Sequence, residues 1–380
     1  MKKLLCTLLA ALMVLTMASF AMAEEAASYK IAILTGTTSQ GEEEVTAATK
    51  LVETYGAEKV LHDTYPDNFS SEVETTISKL IAFASDPDVK AIIFVQGVQG
   101  AVSAFTQIKD SLGRDDILLI AGVPAEDPAD ISAAADIVLA VDEIGCGYQV
   151  ADKAAEWGCD VIVHYSFARH LSYETIVAKR DAMKMTAEGY GIEFVERDCP
   201  DPTGDAGMSG AQAAVLEDVP KVMQEYAGKK VCFYCTNCGI QVALQQAVLA
   251  AGDDAYYALP CCPSPFHGYQ EAFGLDATYG DVEGAIANLA NFLNESGAAG
   301  RFSTWAIPVN MSMINASYEY ACAYAEGKIE KVDEAFLTEC FSEAAGSEAI
   351  LGKYTNANGE ELANYYLIQF SPIDFNDYIG

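Results

Sequence analysis

The residues best equipped for chemistry gather in two stretches of the chain. The first holds Cys232, Cys235 and Cys238, followed downstream by the vicinal pair Cys261-Cys262. A Cys-x-x-Cys pair with two more cysteines farther on is close to the spacing a tetrahedral zinc site accepts, so Cys235, Cys238, Cys261 and Cys262 form one candidate ligand set. Strand alternation, however, puts Cys232 and Cys235 on opposite faces, and vicinal cysteines chelate a single tetrahedral ion poorly. The main expectation is therefore small buried apolar residues, or a disulfide between adjacent strand ends, with no cofactor and with metal as the alternative.

The second stretch carries Arg169-His170 and, on the next helix, Arg180. In a chain with few basic residues these groups would select a carboxylate, phosphate or other anionic group at a cleft. The competing reading is a salt bridge to Glu174 or Asp181. A nucleophilic cysteine would need His267, His164 or His170 beside it; nothing in the spacing enforces that contact, and an enzyme is not the expectation. Gly36, Gly97, Gly100 and Gly122 form neither a dinucleotide fingerprint nor a phosphate loop.

The elements that must position these groups follow a parallel βαβ pattern. Strands are expected at 29–34, near 59–62, and at 91–95, 117–121 and 137–141, making one parallel sheet. A second series follows, with strands at 161–165, 192–197, 230–234 and 256–259 and helices at 147–157, 173–190, 211–226 and 241–251. Residues 281–294 and 304–308 read as an extra helix and strand crossing back to the first lobe. The expected division is a first lobe of 24–142 plus about 276–332, a second lobe of 143–275, and a C-terminal extension, 333–380, of unassigned packing. Polar and aromatic residues at the strand ends make the candidate ligand-binding set: Thr35, Thr37, Gln96, Ser166, Phe167, Arg169, His170, Arg180, Thr236, Asn237, Ser264, Phe266 and His267.

The chain of 380 residues opens with Lys2 and Lys3, an apolar run from Leu4 to Phe20 and the small-residue site Ala21-Met22-Ala23, the pattern of an export signal cleaved after Ala23. Periplasmic or extracellular residence is expected, with no membrane-embedded segment in the mature chain. Cys6 precedes most of the apolar run rather than following it, so a lipid anchor is not expected. The balance of 22 basic against 55 acidic residues, a formal charge of −33, repels phosphate backbones and excludes nucleic acid as a natural partner.

The segment Val231-Cys232-Phe233-Tyr234-Cys235-Thr236-Asn237-Cys238-Gly239, running into Gln241 to Ala247, resembles the apolar strand, Asn-Asp turn and small-residue helix of type I periplasmic binding proteins, with Cys238 where the aspartate usually stands. Val161 to Tyr165, Ser166 to His170 and Lys179-Arg180 resemble the strand, loop and arginine-bearing helix that open the second lobe of that family, and Lys30 to Leu34 its first strand. More narrowly, Val163 to His170 and Cys261 to Gly268 look like signatures of an exported bacterial family of unknown function with this fold. The resemblance implies two doubly wound α/β lobes with a small polar ligand between them, in a monomer that serves an ABC-type permease. The alternative is a sensing partner of a membrane receptor, and a thiol or zinc enzyme in the same cleft is the third reading.

Overall fold

The structure, a computed structural model, describes residues 29–276, 281–356 and 358–380; the expected export signal lies outside them. The first lobe alternates β1 (Lys30–Thr35), α1 (Glu42–Tyr55), β2 (Val60–Thr64), α2 (Val73–Ser85), β3 (Val89–Val95), α3 (Ala101–Asp110), β4 (Leu118–Gly122), α4 (Pro128–Ala134) and β5 (Ile137–Val141). The second lobe continues with α5 (Gly145–Glu156), β6 (Val161–Ser166), α6 (Glu174–Tyr190), β7 (Glu193–Asp198), α7 (Gly207–Glu225), β8 (Val231–Cys235), α8 (Cys238–Ala251), β9 (Ala255–Tyr257), α9 (Tyr269–Phe273), α10 (Val282–Glu295) and β10 (Ser303–Thr304). The chain then returns through α11 (Val309–Ala325), α12 (Glu334–Ala345), β11 (Ala349–Thr355) and β12 (Glu361–Phe370), and ends beside the second lobe at β13 (Ile373–Asp374).

The first sheet has the order β11-β12-β5-β4-β3-β1-β2 and is parallel except for β11, which forms an antiparallel hairpin with β12. The second, β7-β6-β8-β9, is parallel throughout. Helices on both faces explain the unbroken apolar strands. In β3, Ala91, Ile93 and Val95 face one core while Ile92 and Phe94 face the other. This is the two-lobed α/β architecture expected from the sequence.

Two elements depart from expectation. The apolar stripe Ile286, Leu289, Ala290 and Leu293 of α10 is buried in the core of the second sheet, not the first. An amphipathic stripe states that a helix needs cover, but not which sheet supplies it. The strand expected at 304–308 is only Ser303–Thr304, paired antiparallel with β13, so no extra parallel strand forms there. The C-terminal extension is in fact two structural parts: α12 and the β11–β12 hairpin bury Phe341, Tyr366, Ile368 and Phe370 in the first lobe, while Ile373 and Phe375 enter the second-lobe core. The chain thus crosses between lobes at 142–144, 305–308 and 371–372. Gln149 of α5 fastens two crossings together by donating to the Phe370 carbonyl at 2.7 Å.

His164, considered above for catalysis, is a core residue on β6 between the rings of Phe194 and Tyr234. Burial, aided by the positive charge of Arg180, pushes its pKa down to about 3. An unfolded chain takes up this proton near pH 6.5 and the folded chain only near 3, so the stability held by neutral His164 is present above pH 6.5 and lost as pH falls between them. Urea denaturation from pH 7.5 to 4.5 is expected to show a shallower acid decline for His164→Phe, by up to about 1.4 kcal/mol per pH unit. Equal slopes would show that the ring is not held neutral.

Candidate functional site

Parallel strands end on a common edge, where loops and helix N-termini converge. In the first lobe that edge presents the start of α1, with Glu42, Glu43 and Glu44 in its first turn. Glu44 is buried, and its carboxylate accepts from Gln96 Nε2 at 2.6 Å and from Asn310 Nδ2 at 2.7 Å. Gln96 adopts a left-handed backbone, φ 55°, immediately after β3, a conformation that is strained in a non-glycine residue. Asn310 comes from the first turn of α11, just after the second crossing.

The second lobe faces this edge with the loop 260–268. Ser264 Oγ donates to Glu43 Oε1 at 2.9 Å, bridging the lobes. Between them lies a cavity of about 310 Å³, lined by Gln40, Glu42, Glu43, Gln96 and Asn310 on one side and by Cys262, Ser264 and His267 on the other. Its lining includes three glutamates and no lysine or arginine. Burial pushes the Glu43 carboxyl up to about 7, with the neighbouring Glu44 charge adding to the shift and Ser264 opposing it.

Loop 260–268 is held from beneath. Gln241 of α8 is fully buried; its Nε2 donates to the His267 carbonyl at 2.8 Å and its Oε1 accepts from the Cys261 amide and from Tyr257 Oη. Gly268 permits the close approach, since it has φ 79° and a Cβ there would run into the amides of Gln241 and Gln245. Asn237 caps α8 by accepting from the Gly239 amide at 2.8 Å, which places Cys238 at the first helical position. The Cys238 sulfur lies 2.7 Å from that of Cys262 and 3.4 Å from that of Cys261. Hydrogen bonds from Cys261 and Cys262 hold Cys238 well below the usual thiol range, whereas Cys261 is driven up. His267 is raised, chiefly by its hydrogen bond with Cys262. Cys262 and His267 thus line the cavity with Cys238 next to them, Cys261 stands beside Cys238, and Cys235 is buried.

The structure sorts the sequence candidates into groups. Gln96, Ser264 and His267 line the cavity. Ser166, Thr236, His170 and Asn237 form a separate chain of hydrogen bonds at the edge of the second sheet: Thr236 Oγ1 meets Ser166 Oγ at 2.9 Å and His170 Nδ1 at 3.1 Å, and the Asn237 amide meets His170 Nε2 at 3.2 Å. An amide donating to Nε2 leaves the proton on Nδ1, consistent with a His170 pKa lowered by burial and by Arg169. Phe167 is buried against this ring, and Phe266 is buried in the loop. Thr35 is wholly buried, bonded to His62 and to the Gly36 carbonyl, while Thr37 bonds Ser39 and Asp67. The arginines do not face the cavity. Arg169 forms a two-pronged pair with Asp201, and Arg180 pairs with Asp181 and Glu196. The anion-selecting expectation is corrected accordingly, because each guanidinium already has a carboxylate at hand.

Gln40, Glu42, Glu43, Glu44 and Asn310 are site residues that sequence reasoning missed. An acidic run in the first turn of a helix ordinarily serves only to complement the helix dipole. Its position directly after the first strand's C-terminal end was the available signal.

With this geometry the chain is similar to two solved structures. A candidate transcriptional regulator from Clostridium difficile 630 superposes with a TM-score of 0.81 at 19% identity, over 91% of this chain and 99% of that one. A sugar ABC transporter protein from Actinomyces odontolyticus ATCC 17982 superposes with a TM-score of 0.52 at 10% identity, over 80% and 86%. The fold is that of the type I periplasmic binding proteins. Two uncharacterized proteins of Treponema pallidum (strain Nichols) are 37% and 35% identical over 46% of this chain, covering 81% and 79% of their own lengths. The family described as "Protein of unknown function (DUF3798)" matches residues 29–303, and the chain belongs to it.

Arg180→Ala tests the sorting. Both acidic partners are solvated, with side-chain exposures of 58% and 46%, so the pairs contribute little. Urea denaturation is expected to show a loss under ~1 kcal/mol. A larger loss would reveal a buried role for the guanidinium.

Proposed function

We propose that this member of the family is an exported solute-binding protein, which captures a small polar ligand between its lobes and delivers it to an ABC-type membrane permease. The observation that carries this reading is the shared cavity: both lobes contribute polar side chains at the C-terminal edges of their sheets, and Ser264 and Glu43 already bridge them. The chemistry of the lining sets the ligand class. Three glutamates with amide donors and no lysine or arginine favour a neutral hydroxylated or cationic molecule over an anion. Among the described residues no helix is long and apolar enough to cross a membrane, in keeping with a protein that meets its permease from one side.

The likeness to the Clostridium difficile protein supports a second reading, in which the same closure is sensed rather than coupled to transport. The charge of −33 favours a receptor over DNA as the partner of such a sensor.

A thermal-shift panel of sugars, amino acids and polyamines, followed by calorimetric titration and small-angle scattering, tests the cleft. The expected result is a ligand that compacts the protein and loses about tenfold or more in affinity in both Gln96→Ala and Asn310→Ala, each of which strips a donor from the buried Glu44 carboxylate. A ligand bound equally well by both variants would place the site elsewhere.

A further inference from the structure

Cys238, Cys262 and His267 offer two sulfurs and an imidazole nitrogen that all lie within 4.8 Å of one another. We propose that these three residues hold a zinc-class divalent metal ion, with the fourth coordination position open to the interlobe cavity. The ion is thereby either the cleft's own cargo or a resident centre on which a polar ligand lands. The inference rests on the cleft being the binding site, but the two readings can fail separately.

The donor types argue for the ion. Two thiolates and an imidazole suit zinc and its soft neighbours, whereas calcium and magnesium require oxygen ligands. The placement is equally specific. Cys238 is fixed at the start of α8 by the Asn237 cap, and Cys262 and His267 lie on one loop whose ends Gln241 grips at the Cys261 amide and the His267 carbonyl. Gln241 is therefore a positioning residue for the site. Vicinal cysteines need not chelate together here, because Cys262 lines the cavity and shares a donor group with Cys238 and His267, while Cys261, its sulfur 3.4 Å from that of Cys238, stands outside that group. The Cys238–Cys262 separation of 2.7 Å is wider than the about 2.05 Å of a disulfide but shorter than the roughly 3.8 Å between two sulfurs that each lie about 2.3 Å from one tetrahedral ion, so the ion's entry requires the two side chains to rotate apart. The cavity that this position faces is lined by carboxyl groups, among them Glu42 and Glu43, as suits a cation. The bound site holds two thiolates, the neutral imidazole and the dication with no net charge, and whatever protons the three ligands carry beforehand are released on binding.

The test uses the full mature chain, reduced, stripped of metal and titrated with cobalt(II). The expected result is one equivalent bound, with sulfur-to-cobalt charge-transfer and tetrahedral visible bands, displaced by one equivalent of zinc. Cys262→Ser and His267→Gln should each weaken cobalt binding by about 100-fold or more, Gln241→Leu by about 10-fold, and Cys322→Ser, in the other lobe, not at all. Circular dichroism melts check that each variant is folded; if one is not, the remaining ligand variants and a Cys238→Ser chain decide. Absence of the bands, their survival in both ligand variants, or a Cys238–Cys262 disulfide peptide from protein exported by cells would overturn the site. Loss of the metal bands while an organic ligand still compacts the protein would remove the ion and leave the binding-protein reading; metal binding without any organic ligand would make the ion the cargo.

Discussion

The chain passes between the lobes three times, at 142–144, 305–308 and 371–372, and each passage is only a few residues long. Three short tethers confine two rigid bodies to a narrow range of relative positions. The lobes can hinge but neither can slide far from the other, which keeps the edge that carries Glu43 opposite the loop that carries Ser264 and His267. The buried double-faced sheets make each lobe stiff, so freedom is left mainly at the tethers. Even these are braced, by Gln149 on the Phe370 carbonyl and by the Asp142 carboxylate on the Gly145 amide.

Charge is distributed with the same economy. In so acidic a protein, cations are scarce and are spent on fastening the scaffold. Arg114 donates to the carbonyls of Ala84, Asp86 and Val89 while pairing with Asp116, Lys331 joins the Ile117 carbonyl and Asp136, and Arg169 and Arg180 hold surface acids. The cleft is left with carboxylates, amides, a hydroxyl, an imidazole and thiols. A global surplus of acid thus extends into the interlobe cavity instead of being reversed there.

The parts of this molecule that obey local rules were legible in its sequence. Runs such as Ala91 to Val95 and Val161 to Tyr165 lack alternation because both faces are covered; the first of these strands delivers Gln96 to the cavity, and the loop after β9 brings Ser264 and His267 to it. What escaped was set by partners far away in the chain. Only Tyr365 to Ile368 of β12 pair with β5, and the strand carries exposed positions in its first half, so nothing local marked it as the sixth parallel strand. The stripe on α10 announced a need for cover without saying which lobe supplies it. Arg180 was a plausible cleft residue until Glu196, on the adjacent strand, claimed it; the sequence lists both but not their contact. Glu44 shows the converse, since an acid in the first turn of a helix is usually solvated, and only the fold brings Gln96 and Asn310 to it.

Loop 260–268 serves two masters. Its upper side contributes Cys262, Ser264 and His267 to the cavity, while three of its carbonyls hold the second tether: Pro260 accepts from Trp305 Nε1, Pro263 from the Val309 amide and Pro265 from Thr304 Oγ1. The prolines fix the backbone directions on which those contacts depend. A residue inserted here would shift the cavity wall and the hinge at once, whereas the exposed stretch 203–206 bears no such double duty. Length variation among relatives should therefore gather at the second place and avoid the first, so that the loop's size is inherited as strictly as its chemistry.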